Sequence, residues 1–175
     1  MDFKQNYFEI FQLPAEFLID TDELADRYRQ LQRSIHPDKF AGASDRDRRM
    51  SMQWTTKVNE AYATLKKSLP RAIYLLKLNG VDMADKQNAP VDPSFLMQQM
   101  MLREALDEIG EDEEALTQLG EFRLKADEVL SSLEAEFDDS IATDIENAVQ
   151  TVLKMQYMSK LILAADQLEE KLLDY

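Results

Sequence analysis

The chain has 175 residues and a mass of 20.3 kDa, with 45% hydrophobic and 31% charged residues, enough for one ordinary domain or two small ones with packed cores. It carries no cysteine and a single histidine, His36, which excludes disulfides, thiolate–metal sites, thiol nucleophiles and any site that needs two imidazoles. Its 20 basic and 34 acidic residues leave a net charge of −14, unsuited to nucleic acid or to an anionic membrane surface.

The charge is unevenly distributed. Residues 1–79 hold 13 basic and 11 acidic side chains, net +2, whereas 80–175 hold 7 and 23, net −16. Such an asymmetry predicts two modules with different partners. The stretch Met1–Phe11 carries Asp2 and Glu9 and lacks the basic and apolar regions of a signal peptide. No apolar run approaches the roughly 20 residues that span a bilayer. The expected location is the cytoplasm, with no membrane partner.

Helical spacing dominates, and with only 4 glycines no alternating strand pattern emerges, so the expected fold class is all-α. Asp20 followed by Glu23 has the form of a capping box, after which Leu24, Tyr28, Leu31 and Ile35 recur at helical intervals. This helix should end near His36, because Pro37 disfavours the α conformation in the residue before it. A second long helix opens at Ser44–Asp45 and carries Trp54, Val58, Ala61, Tyr62 and Leu65 on one face. Joined through a loop around Lys39–Ala43, the two form an antiparallel hairpin. Pro70 starts a short helix with Ile73 and Leu76 on one side and Gly80 as its C-terminal cap.

Residues 80–91, which include Gln87, Asn88 and Pro90, lack helical periodicity and read as a linker between domains at 1–79 and 92–175. Asp92 and Pro93 are an N-cap and first-turn pair for a helix to about Ile109. A helix holding Leu119, Phe122, Ala126, Val129, Leu133 and Phe137 follows, then a last one from about Ser140 to the end, giving a C-terminal three-helix bundle.

Two places stand out. His36-Pro37-Asp38-Lys39-Phe40 lies at the bend of the hairpin, where proline presents the flanking imidazole and carboxylate with little ordering cost. Arg29 and Arg33 fall about 140–180° from Leu24 around the preceding helix and so face solvent together, with Arg27 at the edge of the apolar face and Lys39 beyond the turn. These residues suit an acidic protein partner whose arginine could take the Asp38 carboxylate. They equally suit a helix stop beside an ordinary solvated face.

The other place is the helix from Pro93. Phe95, Leu102, Ala105, Leu106 and Ile109 cluster on one side, and Leu96, Met97, Met100 and Met101 on the other, followed by Glu104 and Glu108. A helix in a small bundle buries one stripe, so the second should be exposed, and methionine suits adaptable binding surfaces. Packing against the first domain or against another protomer would also cover it.

Tyr7-Phe8-Glu9-Ile10-Phe11, the amphipathic helix, His36-Pro37-Asp38 and Asn59-Glu60-Ala61-Tyr62 occur in the order of a J-domain, which residues 1–79 therefore resemble. The resemblance implies binding to an ATP-loaded DnaK-type chaperone and stimulation of its ATPase. Asp38 would engage a chaperone arginine, His36 and Pro37 would hold the turn, and Arg27, Arg29 and Arg33, with Lys39, would steer the acidic chaperone surface. Phe95 to Glu108, together with Gln167-Leu168-Glu169-Glu170-Lys171-Leu172-Leu173-Asp174-Tyr175, is similar to the carboxyl-terminal domain of the HscB family, J-type co-chaperones of iron–sulfur cluster biogenesis. That likeness implies a bundle that binds an IscU-like scaffold protein and presents it to an HscA-like chaperone. It maps the scaffold contact onto Leu96, Met97, Met100, Glu104 and Glu108, with Tyr157 adding an aromatic. Met101 stands where bacterial members often have a glutamate. The cysteine-bearing amino-terminal extension of some eukaryotic members is absent, in keeping with a bacterial-type cytoplasmic form.

No phosphate-cradling glycine motif, nucleophile elbow or histidine–nucleophile pair is present, so no catalytic residue, cofactor or metal is assigned and any ATP hydrolysis would occur on the partner. Two alternatives remain: a general J-domain protein serving unfolded clients, and a structural module that self-associates through Leu96, Met97 and Met100. The run Glu111-Asp112-Glu113-Glu114 reads as acids complementing a helix dipole rather than a divalent-metal loop.

Overall fold

The computed structural model of the chain describes residues 3–36, 39, 42, 44–86, 89–110 and 112–174. Of the residues named above, Met1, Asp2, Pro37, Asp38, Phe40, Ala43, Gln87, Asn88, Glu111 and Tyr175 lie outside them. Seven α-helices and no strand occur among the described residues, so the fold is all-α. None of these helices is long and apolar enough to cross a membrane. The chain divides into two compact units, Met1–Leu75 and Leu76–Tyr175.

The first unit opens with α1, Tyr7–Ile10, a single turn held at its start by a capping box. Asn6 Oδ1 accepts from the Glu9 amide at 3.0 Å, and Glu9 Oε2 accepts from the Asn6 amide at 2.8 Å. Helix α2, Thr21–Ile35, starts where Asp20 accepts from the amides of Asp22 and Glu23, while Glu23 turns its own carboxylate to Arg27. Helix α3, Asp45–Lys66, is capped by Ser44, whose hydroxyl accepts from the Asp47 amide at 3.2 Å. The antiparallel register of α2 and α3 follows from paired contacts, Tyr28 against Tyr62 at one end and Ile35 against Ser51 at the other. Leu24 and Ile35 are buried on α2, and Trp54, Val58, Ala61 and Leu65 on α3, as the helical spacing predicts.

Helix α4, Ser68–Leu78, begins two residues before the expected Pro70. Proline fits there because the first turn leaves its N–H positions without intrahelical partners. Its buried residues are Arg71, Ala72, Leu75 and Leu76; of the two expected on one side, Leu76 is buried and Ile73 half-buried.

In the second unit Gly80, at φ 81°, closes α4: its amide donates to the Lys77 carbonyl and the Val81 amide to that of Leu76, the two bonds of a Schellman cap. Within 80–91 a 3-10 turn, Met83–Lys86, buries Met83. Helix α5 spans Pro93–Asp107, with Asp92 accepting from the Ser94 amide at 3.0 Å. Helix α6 spans Ala115–Ser140 and helix α7 Ile145–Leu173. The last helix therefore starts later than expected. Asp138, Asp139 and Ser140 are all cap-forming residue types, but the cap is Asp144, whose carboxylate accepts from the Asn147 amide at 3.0 Å. Phe95, Phe122, Leu133, Phe137, Val152, Met155 and Met158 form the core of this three-helix bundle. Arg123 of α6 ties it to α7 through Asp166 at 2.7 Å and Glu169 at 2.9 Å.

Candidate functional site

The end of α2 is anchored from the opposite helix. Ser51 Oγ donates to the Ile35 carbonyl at 2.6 Å in a buried contact, which satisfies one of the carbonyls that a helix end leaves open. His36 follows as the C-cap with extended dihedrals, φ −56° and ψ 131°, and the Lys39 amide donates to the His36 carbonyl at 3.0 Å. Of the expected tripeptide, His36 is exposed at this corner, and Pro37 and Asp38 lie outside the described residues.

A latch fixes the register of the hairpin one and two turns earlier. The rings of Tyr28 and Tyr62 stack with centroids 4.0 Å apart and an interplanar angle of 11°. The Tyr28 hydroxyl donates to Asn59 Oδ1 at 3.0 Å, and the Gln32 side-chain amide donates to both partners. In Asn59-Glu60-Ala61-Tyr62, the first and last residues thus belong to the latch, and Ala61 is buried in the helix contact. Glu60 reaches α1 instead. Burial raises the Tyr7 phenol far above its usual pKa, and a hydrogen bond to Glu60 raises it further. Tyr7 also stacks on Tyr74 at 4.3 Å and donates its amide to the Tyr74 hydroxyl at 3.0 Å. Tyr74 is raised as well, first by burial.

On this base the basic residues of α2 sit in two environments. Arg29 and Arg33 are exposed, as is Lys39, and Arg29 makes a surface ion pair with Asp26. Such an exposed pair contributes little to stability and leaves the charge accessible. Arg27 is half-buried and engaged: Nη1 donates to the carbonyls of Phe11 and Gln12 at 2.5 Å each, and Nη2 to Glu23.

The other surface lies on α5. Phe95 and Leu106 are buried, while Met97, Met100 and Met101 are 68%, 60% and 66% exposed, so the helix carries a second, uncovered apolar side. Leu96 is half-buried between the two sides, and Glu104 and Glu108 are exposed beyond the methionines. Leu102 and Ile109 are half-buried, but Ala105, expected inward, is exposed, and α5 ends at Asp107 rather than Ile109. Tyr157 of α7 is half-buried and meets Phe95 edge-on, centroids 6.4 Å apart at 67°. That contact lies on the buried side of α5, opposite the methionines. Lys160, which the sequence reading missed, places Nζ 5.7 Å from the Tyr157 ring centroid. The uncovered side of α5 combines flexible thioethers with a carboxylate rim.

Residues 91–166 match the family model described as the HSCB C-terminal oligomerisation domain. Over its length the chain is 40% identical to a co-chaperone protein HscB homolog of Shewanella loihica, covering 95% of this chain and 99% of that protein. Among solved structures, chaperone HscB from Vibrio cholerae matches at a TM-score of 0.84 and 36% identity, covering 96% of this chain and 99% of the other. Human co-chaperone protein HscB matches at 0.82 and 32% identity, covering 98% and 82%. Fold and relatives together define a co-chaperone with a J-like amino-terminal unit and a carboxyl-terminal helical bundle. More narrowly, the chain belongs to the HscB family of co-chaperones.

Proposed function

We propose that the chain stimulates the ATPase of an HscA-like DnaK-type chaperone and delivers an IscU-like iron–sulfur scaffold to it, assisting cluster assembly and transfer in the cytoplasm. The observation that carries this reading is the uncovered methionine side of α5 in a member of the HscB family. Residues 1–79 act as the chaperone-binding J-domain, 80–91 as the connection and 92–175 as the scaffold-binding domain. His36, Pro37 and Asp38 engage the chaperone, and Arg29, Arg33 and Lys39 steer it, with Arg27 adding its charge at the edge of the same helix. Leu96, Met97, Met100, Glu104, Glu108 and Tyr157 receive the scaffold. Neither partner role involves nucleic acid or membrane.

The chain does no bond chemistry in this reading; it couples two binding events. Holding scaffold and chaperone on one polypeptide converts their encounter into an intramolecular step at a raised effective concentration. Stimulation further requires tighter binding to the hydrolysis-competent chaperone state than to the others, because a ligand shifts an equilibrium only by its differential affinity.

Steady-state ATP hydrolysis by an HscA-type chaperone, with this protein, the scaffold or both, tests the reading. Synergistic stimulation should disappear separately in Asp38→Asn and in a Leu96/Met97/Met100→Ala triple variant. Stimulation that ignores the scaffold would assign a general J-domain role instead. A second reading draws on the same methionine side and on the family model's description as an oligomerisation domain: self-association. Sedimentation showing a concentration-dependent dimer abolished by Met97→Glu would favour it.

A further inference from the structure

Two helices in this chain end in the same way, with different residues at the critical position. At the end of α4 the left-handed residue is Gly80. At the end of α1 the Gln12 amide donates to the Glu9 carbonyl and the Leu13 amide to that of Phe8, the same two Schellman bonds, with Gln12 at φ 55°. Gln12 is the one non-glycine residue at positive φ among the described residues. The left-handed conformation is unfavourable for a side chain with a Cβ, so something must hold it. A four-residue helix supplies little cooperativity of its own.

The holding group is the Arg27 guanidinium. A helical twist of either hand turns successive carbonyls to the same side, and those of Phe11 and Gln12 both meet Arg27 Nη1 at 2.5 Å. Glu23 fixes the other end of the guanidinium, so the planar fork is oriented from behind. Beside it, a cleft runs between residues 10–12 on one wall and Arg27, Gln30, Leu31 and Ser34 of α2 on the other.

We propose that Arg27 is a positioning residue. It closes the strained cap of α1 onto α2 and so holds in place the helix that carries Arg29 and Arg33, rather than contacting the chaperone through its own hydrogen bonds. The inference rests on the chaperone-binding reading of α2. It predicts that losing the strut lowers the population of the competent surface without changing the complex once formed. In titrations of chaperone ATPase stimulation, Arg27→Gln should raise the half-saturating concentration of the full-length protein about tenfold with the plateau unchanged, the signature of a reduced competent fraction. Hydrogen exchange at the Gln12 and Leu13 amides should accelerate by a similar factor. Gln12→Gly relieves the left-handed conformation, so it should be near parental alone and, combined with Arg27→Gln, should restore both readouts to within about threefold.

Unchanged exchange in Arg27→Gln would overturn the proposal, as would a stimulation defect that Gln12→Gly does not repair, which would make Arg27 a direct chaperone contact. If the parental protein stimulates no DnaK-type chaperone, the functional reading fails instead, and the exchange arm with its glycine rescue alone decides the strut.

Discussion

Met97→Ala separates binding from folding on a single helix. Met97 is 68% exposed, and full burial of a methionine side chain contributes about 1.5–3 kcal/mol, so a partner that covers the exposed two-thirds gains about 1–2 kcal/mol from it. Truncation to alanine forfeits most of this gain, raising the Kd for the scaffold about 5–30-fold. Because the side chain touches little of its own protein, the stability of the bundle should change by no more than about 0.5 kcal/mol. Phe95, two residues away and 7% exposed, provides the opposite control: Phe95→Ala should cost about 3–5 kcal/mol of folding stability. Isothermal titration with an IscU-type scaffold, alongside urea denaturation of the same preparations, measures both quantities. A Met97→Ala protein that binds the scaffold as tightly as the parent, or one that unfolds early, would refute the assignment of this side of α5 as an unoccupied docking surface.

Asp38→Asn should abolish stimulation of the chaperone ATPase while leaving scaffold affinity as it was, checked by steady-state hydrolysis and scaffold titration on one preparation. Ser51→Ala should destabilise the first unit by about 1–2 kcal/mol in urea denaturation, since it strips a buried carbonyl at the end of α2 of its partner; no change would mean that the Ile35 carbonyl finds another donor. Asp92 is held below the usual carboxylate pKa by the Ser94 hydroxyl first and the Ser94 amide second. A depressed native pKa gives stability that is present above the unfolded value and lost as the pH falls through the native one, so Asp92→Asn should flatten the acid limb of the thermal midpoint against pH.

The parts of the fold that depend on local chemistry were legible in the sequence: Asp20, Ser44 and Asp92 cap the helices expected of them, and the periodic apolar residues of α2, α3 and α6 line the cores. The uncovered side of α5 was legible for the same reason, because helical spacing alone leaves Met97 and Met100 opposite Phe95. Helix ends were less so. Three adjacent cap-type residues at 138–140 compete with Asp144 in the sequence, and α6 runs through all three before Asp144 caps the next helix. Contacts distant in sequence left no local signal: Arg27 to the Phe11 and Gln12 carbonyls, Tyr28 to Asn59, and Tyr7 to Tyr74. Arg27 reads from spacing as an edge residue of a basic face, and nothing in its neighbours announces two backbone acceptors some 15 positions earlier.

The chain's one tryptophan, Trp54, lies in the first unit, buried with the Phe3 ring stacked 4.5 Å away and the Lys57 ammonium 5.8 Å from its centroid. The second unit has none, so indole emission is an optical channel private to the first. Backbone ellipticity, by contrast, sums the helices of both. Recorded together on the unmodified protein, the two signals distinguish a melt that begins in one unit from a melt shared by both, with no label attached to either.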